Sequence, residues 1–248
     1  MRLDVALLPG QTFDRARSVC IVVDVLRASS SIVTVLDRGA ARVLAAPALA
    51  DAIALHERLP DHMLCGEKDG LPPPGFDYGN SPSEFARLDL GGRNLILATS
   101  NGTRILAALA GAPAVLVGCL LNRSAVARAA AAIAAERGLD ITVVCSAAYG
   151  GSTFVLEDAL GAGAIADAAL TLDVPIQPAD AARFARDAFT VARPDIGAAV
   201  ASAYHARELA AAGLADDVAY CAQLDVSDVV PLLEPGEDGV PALRPYTR

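Results

Sequence analysis

The stretch LILATSNGTRIL, residues 95–106, runs from apolar residues into Thr99, Ser100, Asn101, Gly102, Thr103 and Arg104, then turns apolar again. Small hydroxyls, a carboxamide, a glycine and an arginine in that order are groups that hold an anion. A helix N-terminus presents free backbone N–H groups, glycine lets the backbone come close, and a guanidinium fork matches phosphate, sulfonate or carboxylate oxygens. Three other apolar runs end in comparable sets. VCIVVDVLRASSS supplies Asp24, Arg27, Ser29 and Ser30, LLNRS supplies Asn122, Arg123 and Ser124, and CSAAYGGSTFVLED supplies Ser146, Gly150, Gly151, Ser152, Glu157 and Asp158. The carboxylates Asp24, Glu67, Glu157 and Asp158 are hard oxygen ligands, suited to a Mg²⁺ ion bridging to a phosphate.

Any one of these loops is ordinary, because Ser, Thr, Asn and Gly belong at helix starts, and acids in a first turn complement the helix dipole. Their repetition at successive strand ends is what points to a small, highly anionic ligand. The spacing contains no GxSxG elbow, no GxxxxGK[ST] loop and no GxGxxG fingerprint. His56, His62 and His205 stand apart from these loops and read as surface or helix-face residues.

The elements that must position these groups follow from the apolar pattern. Residues 19–25, 41–46, 94–99, 114–120 and 141–147 are short continuous apolar runs, as expected of strands buried on both faces of a parallel sheet. Ala-rich helices alternate with them, clearest at NRSAVARAAAAIAAERG, with Asn122 or Ser124 at its start and Gly138 at its stop, and at residues 156–170. The expectation is a three-layer α/β/α fold with a mainly parallel sheet, plus a smaller C-terminal α/β portion. Residues 1–175 would form the core carrying most of the site. Residues 176–248 would add two helical segments, a last strand at DVAYCAQLD and an irregular Pro-rich tail, packed on the same core. The Pro/Gly-rich, aromatic segment 67–85 is too long for an ordinary connector and reads as an ordered arm or lid.

Composition bounds the rest. The 248 residues are 54% hydrophobic but only 4% aromatic, with no Trp, so the core is Ala, Val, Leu and Ile. A net charge of −9 argues against nucleic acid as a partner. No apolar run approaches a membrane span, and the N-terminal MRLDVALLPGQ lacks a signal-peptide pattern. The five scattered cysteines, with no CxxC, read as small buried hydrophobes in a cytoplasmic protein. A homo-oligomer is left open.

The blocks VVDVLRASSSIVT, CGEKDG, GFDYGNSPSEF, LILATSNGTRIL, VLVGCLLNRSAVA and FVLEDALGAGAI resemble the signature blocks of the 2-phosphosulfolactate phosphatase family, in the family's order, and YHARELAAAGLADDVAYCAQLDVSDVVPLL is similar too. The resemblance implies Mg²⁺-dependent hydrolysis of (R)-2-phospho-3-sulfolactate to 3-sulfolactate and phosphate, a step towards coenzyme M. Asp24, Arg27, Asn101 and Arg104 would then be catalytic. Asn80, Thr99, Ser100, Gly102, Thr103, Asn122 and Arg123 would bind substrate, and Asp24, Glu67, Glu157 and Asp158 would hold the metal. Where the family usually reads nearer GERGG this chain has Glu67, Lys68, Asp69 and Gly70, and TTTNGT appears here as residues 98–103. A covalent aspartyl-phosphate route through Asp24 is the competing mechanism, but Leu26 stands where that chemistry expects an acid, and Lys68, the sole lysine, precedes the Ser/Thr block. Two further alternatives are a phosphatase for another 2-phospho-carboxylate and a non-catalytic binder of a small anionic acid.

Overall fold

In a computed structural model, which describes residues 1–236 and 240–247, the expected alternation of buried strands and Ala-rich helices forms a mostly parallel α/β fold. The elements in chain order are β1 Arg2–Ala6, β2 Ser18–Val23, α1 Ala28–Asp37, β3 Arg42–Ala46, α2 Leu49–Arg58, β4 Met63–Gly66, α3 Pro82–Phe85, β5 Asn94–Ala98, α4 Gly102–Leu109 and β6 Ala114–Gly118. They continue with α5 Arg123–Arg137, β7 Asp140–Cys145, α6 Leu156–Leu170, β8 Gln177–Pro178, α7 Asp180–Ala192, α8 Ile196–Ala201, α9 Tyr204–Ala211, α10 Ala215–Cys221, β9 Pro231–Glu234 and β10 Ala242–Pro245.

The strands join one ten-stranded sheet in the order β4-β5-β3-β10-β9-β6-β2-β7-β1-β8. It has two parallel blocks, β4-β5-β3 and β6-β2-β7-β1-β8. The antiparallel hairpin β9–β10 joins them, pairing with β6 on one side and β3 on the other. Strand alternation sorts the core into faces. From β2, Val19, Ile21 and Val23 pack under α5, α6 and α7, whereas Cys20 and Val22 pack with α1 and α4. From β5, Leu95 and Leu97 share that α1/α4 cluster, and Ile96 and Ala98 turn to α2. Both blocks therefore pack on α1 and α4. Five ladder steps separate β5 from β2, and at about 20–25° of twist per step their axes turn by roughly 100–125°. The three antiparallel pairings through the hairpin make the two blocks run in opposite senses, and the loops after β2, β4, β5 and β7 nevertheless line one cavity.

Helix α6 shows how small residues allow this layering. Gly161 faces β2, where an added Cβ would lie 2.6 Å from Val25 Cγ2, and Gly163 faces α7, where it would lie 2.0 Å from the Ala185 carbonyl oxygen. The helix is clamped between sheet and α7 with no room for a methyl on either side.

Two expectations are corrected. DVAYCAQLD is not a strand: residues 215–221 form α10, burying Asp217, Val218 and Cys221 at helical spacing. Short apolar runs are ambiguous between the two periods, and here helical packing decides. The Pro-rich tail is not irregular either. Pro231 opens β9 and Pro245 closes β10, positions where a missing N–H interrupts no ladder, so the segment forms the central hairpin. Strand β1, whose apolar run is broken by Asp4, and the four-residue β4 also join the sheet.

The α6–α7 contact gives a direct test. Gly163→Ala should destabilise the fold by about 1–3 kcal/mol in urea melts. Gly10→Ala, at a position with nothing within 4 Å, should change stability by less than about 0.5 kcal/mol.

Candidate functional site

The loops at the carboxyl ends of β2, β4, β5 and β7 and one side of α9 enclose a cavity of about 450 Å³. It is lined by Asp24, Arg27, Glu67, Asp69, Gly70, Asn80, Thr99, Ser100, Asn101 and Arg104, and on the far wall by Tyr149, Gly150, Tyr204, His205 and Glu208. A larger cavity of about 740 Å³ lies at the amino ends of β4 and β5, around His62 and Asn94, and shares none of these lining residues.

Asp24 sits at the end of β2, buried. Its Oδ1 accepts from the Ala28 N–H at 3.1 Å, and its own N–H donates to Ser29 Oγ at 2.9 Å. Burial pushes its carboxyl above the usual 3.8; the Ala28 N–H, His205 and the Ser146 hydroxyl pull it down, and the charge of Glu67 pushes it up again. An added Cβ at Gly102 would come within 2.7 Å of Asp24 Oδ2, so the start of α4 can lie against this carboxylate only without a side chain. Glu67 ties two loops together: Oε1 accepts from Ser100 N–H at 2.6 Å and Oε2 from Gly70 N–H at 3.0 Å.

On the opposite side, Asn101 Oδ1 accepts from Gly150 N–H at 3.2 Å. Thr99 and Thr103 exchange bonds, each backbone N–H donating to the other's hydroxyl at 3.1 and 3.2 Å, so they fix the turn into α4. Thr103 is fully buried behind the cavity wall. Asn80 is buried with its Oδ1 unpartnered among the described residues. Arg104 lines the cavity with no ion pair and no side-chain hydrogen bond among the described residues.

Arg27 is committed elsewhere. Its Nη1 meets Asp217 Oδ2 at 2.7 Å, both side chains almost wholly enclosed, and its Nη2 donates to the Gly70 carbonyl at 2.7 Å. Asp217 Oδ1 also takes the hydroxyls of Ser81 and Ser83, each at 2.6 Å, and the Ser83 N–H. Arg27 reaches the cavity as part of its frame.

The structure does not bring Asn122 and Arg123 to the cavity. Asn122 holds the Cys119 N–H and the Val117 and Val229 carbonyls. Arg123 pairs with Asp225 at 2.9 Å and Asp167 at 3.6 Å and stacks on Phe189. Both secure the segment that leads into β9. Glu157 and Asp158, each 1% exposed, lie behind the wall. Asp158 accepts from the N–H groups of Val25 and Ala147 and from the Ser146 hydroxyl. Burial, then the charges of Asp24 and Glu157, push its carboxyl well above 3.8. Among the described residues, no three His, Cys, Asp or Glu side chains stand close enough to enclose a metal ion by themselves.

His205, read from the sequence as a helix-face residue, lies on the cavity wall with Nδ1 3.2 Å from Glu157 Oε1. Tyr149 and Tyr204 are exposed at the same wall. Their signal was hidden because α9 comes from the part of the chain far from the strand-end loops. Only the crossing of α6 and α9 shows Glu157 turned towards a histidine.

A family model described as 2-phosphosulpholactate phosphatase matches residues 6–236. A Deinococcus radiodurans protein described as a probable 2-phosphosulfolactate phosphatase is 42% identical, over 98% of this chain and 97% of its own. Proteins of the same description from Thermus thermophilus and Pseudothermotoga lettingae are 36% and 35% identical, covering 94% and 93% of this chain and 94% and 95% of theirs. Whatever chemistry the cavity performs, its frame depends on Asp217. Asp217→Ala should destabilise by about 3–5 kcal/mol, because it strands the Arg27 charge in a buried place. Ser83→Ala, which removes one of the hydroxyl contacts, should cost about 1 kcal/mol. Urea melts of both variants measure the difference, and equal small losses would show that the pair is not what holds the frame.

Proposed function

The chain belongs to the 2-phosphosulfolactate phosphatase family and is a phosphoric monoester hydrolase, and from that premise we propose that the cavity hydrolyses (R)-2-phospho-3-sulfolactate to 3-sulfolactate and phosphate with Mg²⁺, as on the route to coenzyme M. The observation that carries this is the opposition, in one cavity, of carboxylates, Asp24 and Glu67 among them, and an unpaired guanidinium, Arg104. A pure anion binder gains nothing from carboxylates beside its ligand.

The residues fit the ion. Mg²⁺ is usually held by one or two carboxylates and completed by waters and phosphate oxygens, not by an all-protein cage. Asp24 and Glu67 supply those carboxylates, and the charge of Glu67 already disfavours ionised Asp24. Bound there, the ion would neutralise phosphate charge and acidify water. The chain's own groups do the positioning. Ser100 and Asn101 receive the phosphate oxygens, Arg104 closes on them, and Asn80 offers its carboxamide to the rest of the substrate. The attacking water lies on the Asp24 side. The segment 67–85, with Gly70 bonded to Arg27, forms one wall.

A second reading rests on the arginines. With Arg27 taken by Asp217, Arg104 is the unpaired guanidinium in the cavity among the described residues, which suits a 2-phospho-carboxylate with no sulfonate as well. No helix among the described residues is long and apolar enough to cross a membrane, and all five cysteines are free and buried, which supports a cytoplasmic setting.

Phosphate release from 2-phosphosulfolactate, 2-phosphoglycerate and phospholactate, with Mg²⁺ and then with EDTA, tests this directly. We expect turnover that prefers the sulfonated substrate, ceases in EDTA and falls at least about 10³-fold in Asp24→Asn, the scale of losing a transition-state group. Activity that survives EDTA removes the metal from the mechanism. Metal-dependent ligand binding without phosphate release would make the protein a sensor.

A further inference from the structure

The roles above leave His205 without a task, although it lines the cavity with Asp24, Asn101 and Arg104. Its position is built. The first turn of α9 carries the ring to the cavity wall, and the first turn of α6 places Glu157 behind it, with Nδ1 3.2 Å from Oε1. Glu157 is 1% exposed, and its Oε2 is buried with no hydrogen-bond partner among the described residues. The imidazole is therefore the neighbour that offsets this carboxylate. A carboxylate on Nδ1 fixes the ring's orientation and directs the other nitrogen outward. Nε2 has no protein partner among the described residues, and the ring is 30% exposed.

We propose that His205 is the catalytic acid of the hydrolysis, its Nε2–H protonating the departing oxygen, and that Glu157 is its positioning residue. This deepens the phosphatase reading and rests on it. The leaving group of a 2-phospho acid is a secondary alkoxide, a poor one unless it is protonated as it leaves. The water oxygen bonds to phosphorus as the bond from phosphorus to the substrate's C2 oxygen breaks. The electron pair of that bond stays on the C2 oxygen, which takes the proton from Nε2. The proton lost by the attacking water passes to solvent, and exchange with solvent reprotonates His205. The Glu157 charge also gives a role to an acid that sits in the first turn of α6 but outside the cavity lining.

The test is a leaving-group series. Wild type and His205→Gln are compared on 2-phosphosulfolactate and on aryl phosphates of graded leaving-group acidity, including p-nitrophenyl phosphate. His205→Gln should lose about 10²–10⁴-fold in kcat on the alkyl ester, the usual worth of a general acid. On p-nitrophenyl phosphate, whose phenolate leaves unaided, the loss should stay below about tenfold, and the dependence of rate on leaving-group pKa should steepen. Glu157→Gln should shift the slope the same way by a smaller amount. Equal losses on all esters, or an unchanged slope, would overturn the proposal, because a merely structural role does not discriminate between leaving groups. Wild type that cleaves aryl phosphates but not 2-phosphosulfolactate would sink the substrate reading, and the slope comparison would still decide His205. Wild type that releases phosphate from none of them would overturn both.

Discussion

The Arg27–Asp217 ion pair is enclosed on both sides, and the rest of the site hangs from it. Two charges removed from water are tolerated only when their remaining donors and acceptors are met. Here they are: Gly70 takes a second Arg27 nitrogen, and Ser81 and Ser83 fill the other oxygen of Asp217. Each partner belongs to a different part of the chain, so this polar knot joins the turn after β2, the loop after β4, the start of α3 and helix α10. The cavity's shape is set by charge satisfaction as much as by apolar packing. The α9–α10 pair, which supplies one wall, is held to the strand-end loops through it.

A second constraint works against the fold. Burial and the charge of Glu67 raise the carboxyl of Asp24, and burial with the charges of Asp24 and Glu157 raises that of Asp158. The structure answers each differently. Asp158 is bonded by two backbone N–H groups and a hydroxyl, Glu157 by His205, and Asp24 by one backbone N–H, with its other oxygen beside Gly102. Asp158 is fully bonded, Glu157 keeps a buried Oε2 without a partner among the described residues, and Asp24 alone of the three lines the cavity. Those differences separate framework acids from a reactive one more sharply than position in the sequence does.

Much of this was legible in the sequence. Continuous apolar runs such as SVCIVV gave the parallel strands, and polar residues after β2, β5 and β7 marked the cavity because side chains at strand ends must face something. Asn122 and Arg123 follow the same rule after β6 yet serve the segment entering β9, since β6 is where the hairpin docks. Nothing local distinguishes a loop that faces a ligand from one that faces the chain's own later residues. His205 and Asp217 were hidden for the same reason, their partners being supplied by distant helices. The hairpin escaped because prolines at strand ends look like prolines in loops.

The hairpin's place in the sheet bears on how the chain is made. Leu243 pairs with Val43 and Leu232 with Leu116, so strands synthesised late separate two blocks synthesised early. As the polypeptide emerges from the ribosome, β3 and β6 each present a bare edge with no neighbour until residues 231–245 arrive. Unpaired edges are templates for the wrong partner. Chaperone attention or pausing during translation would matter most in that interval, when both halves are largely formed and still unjoined.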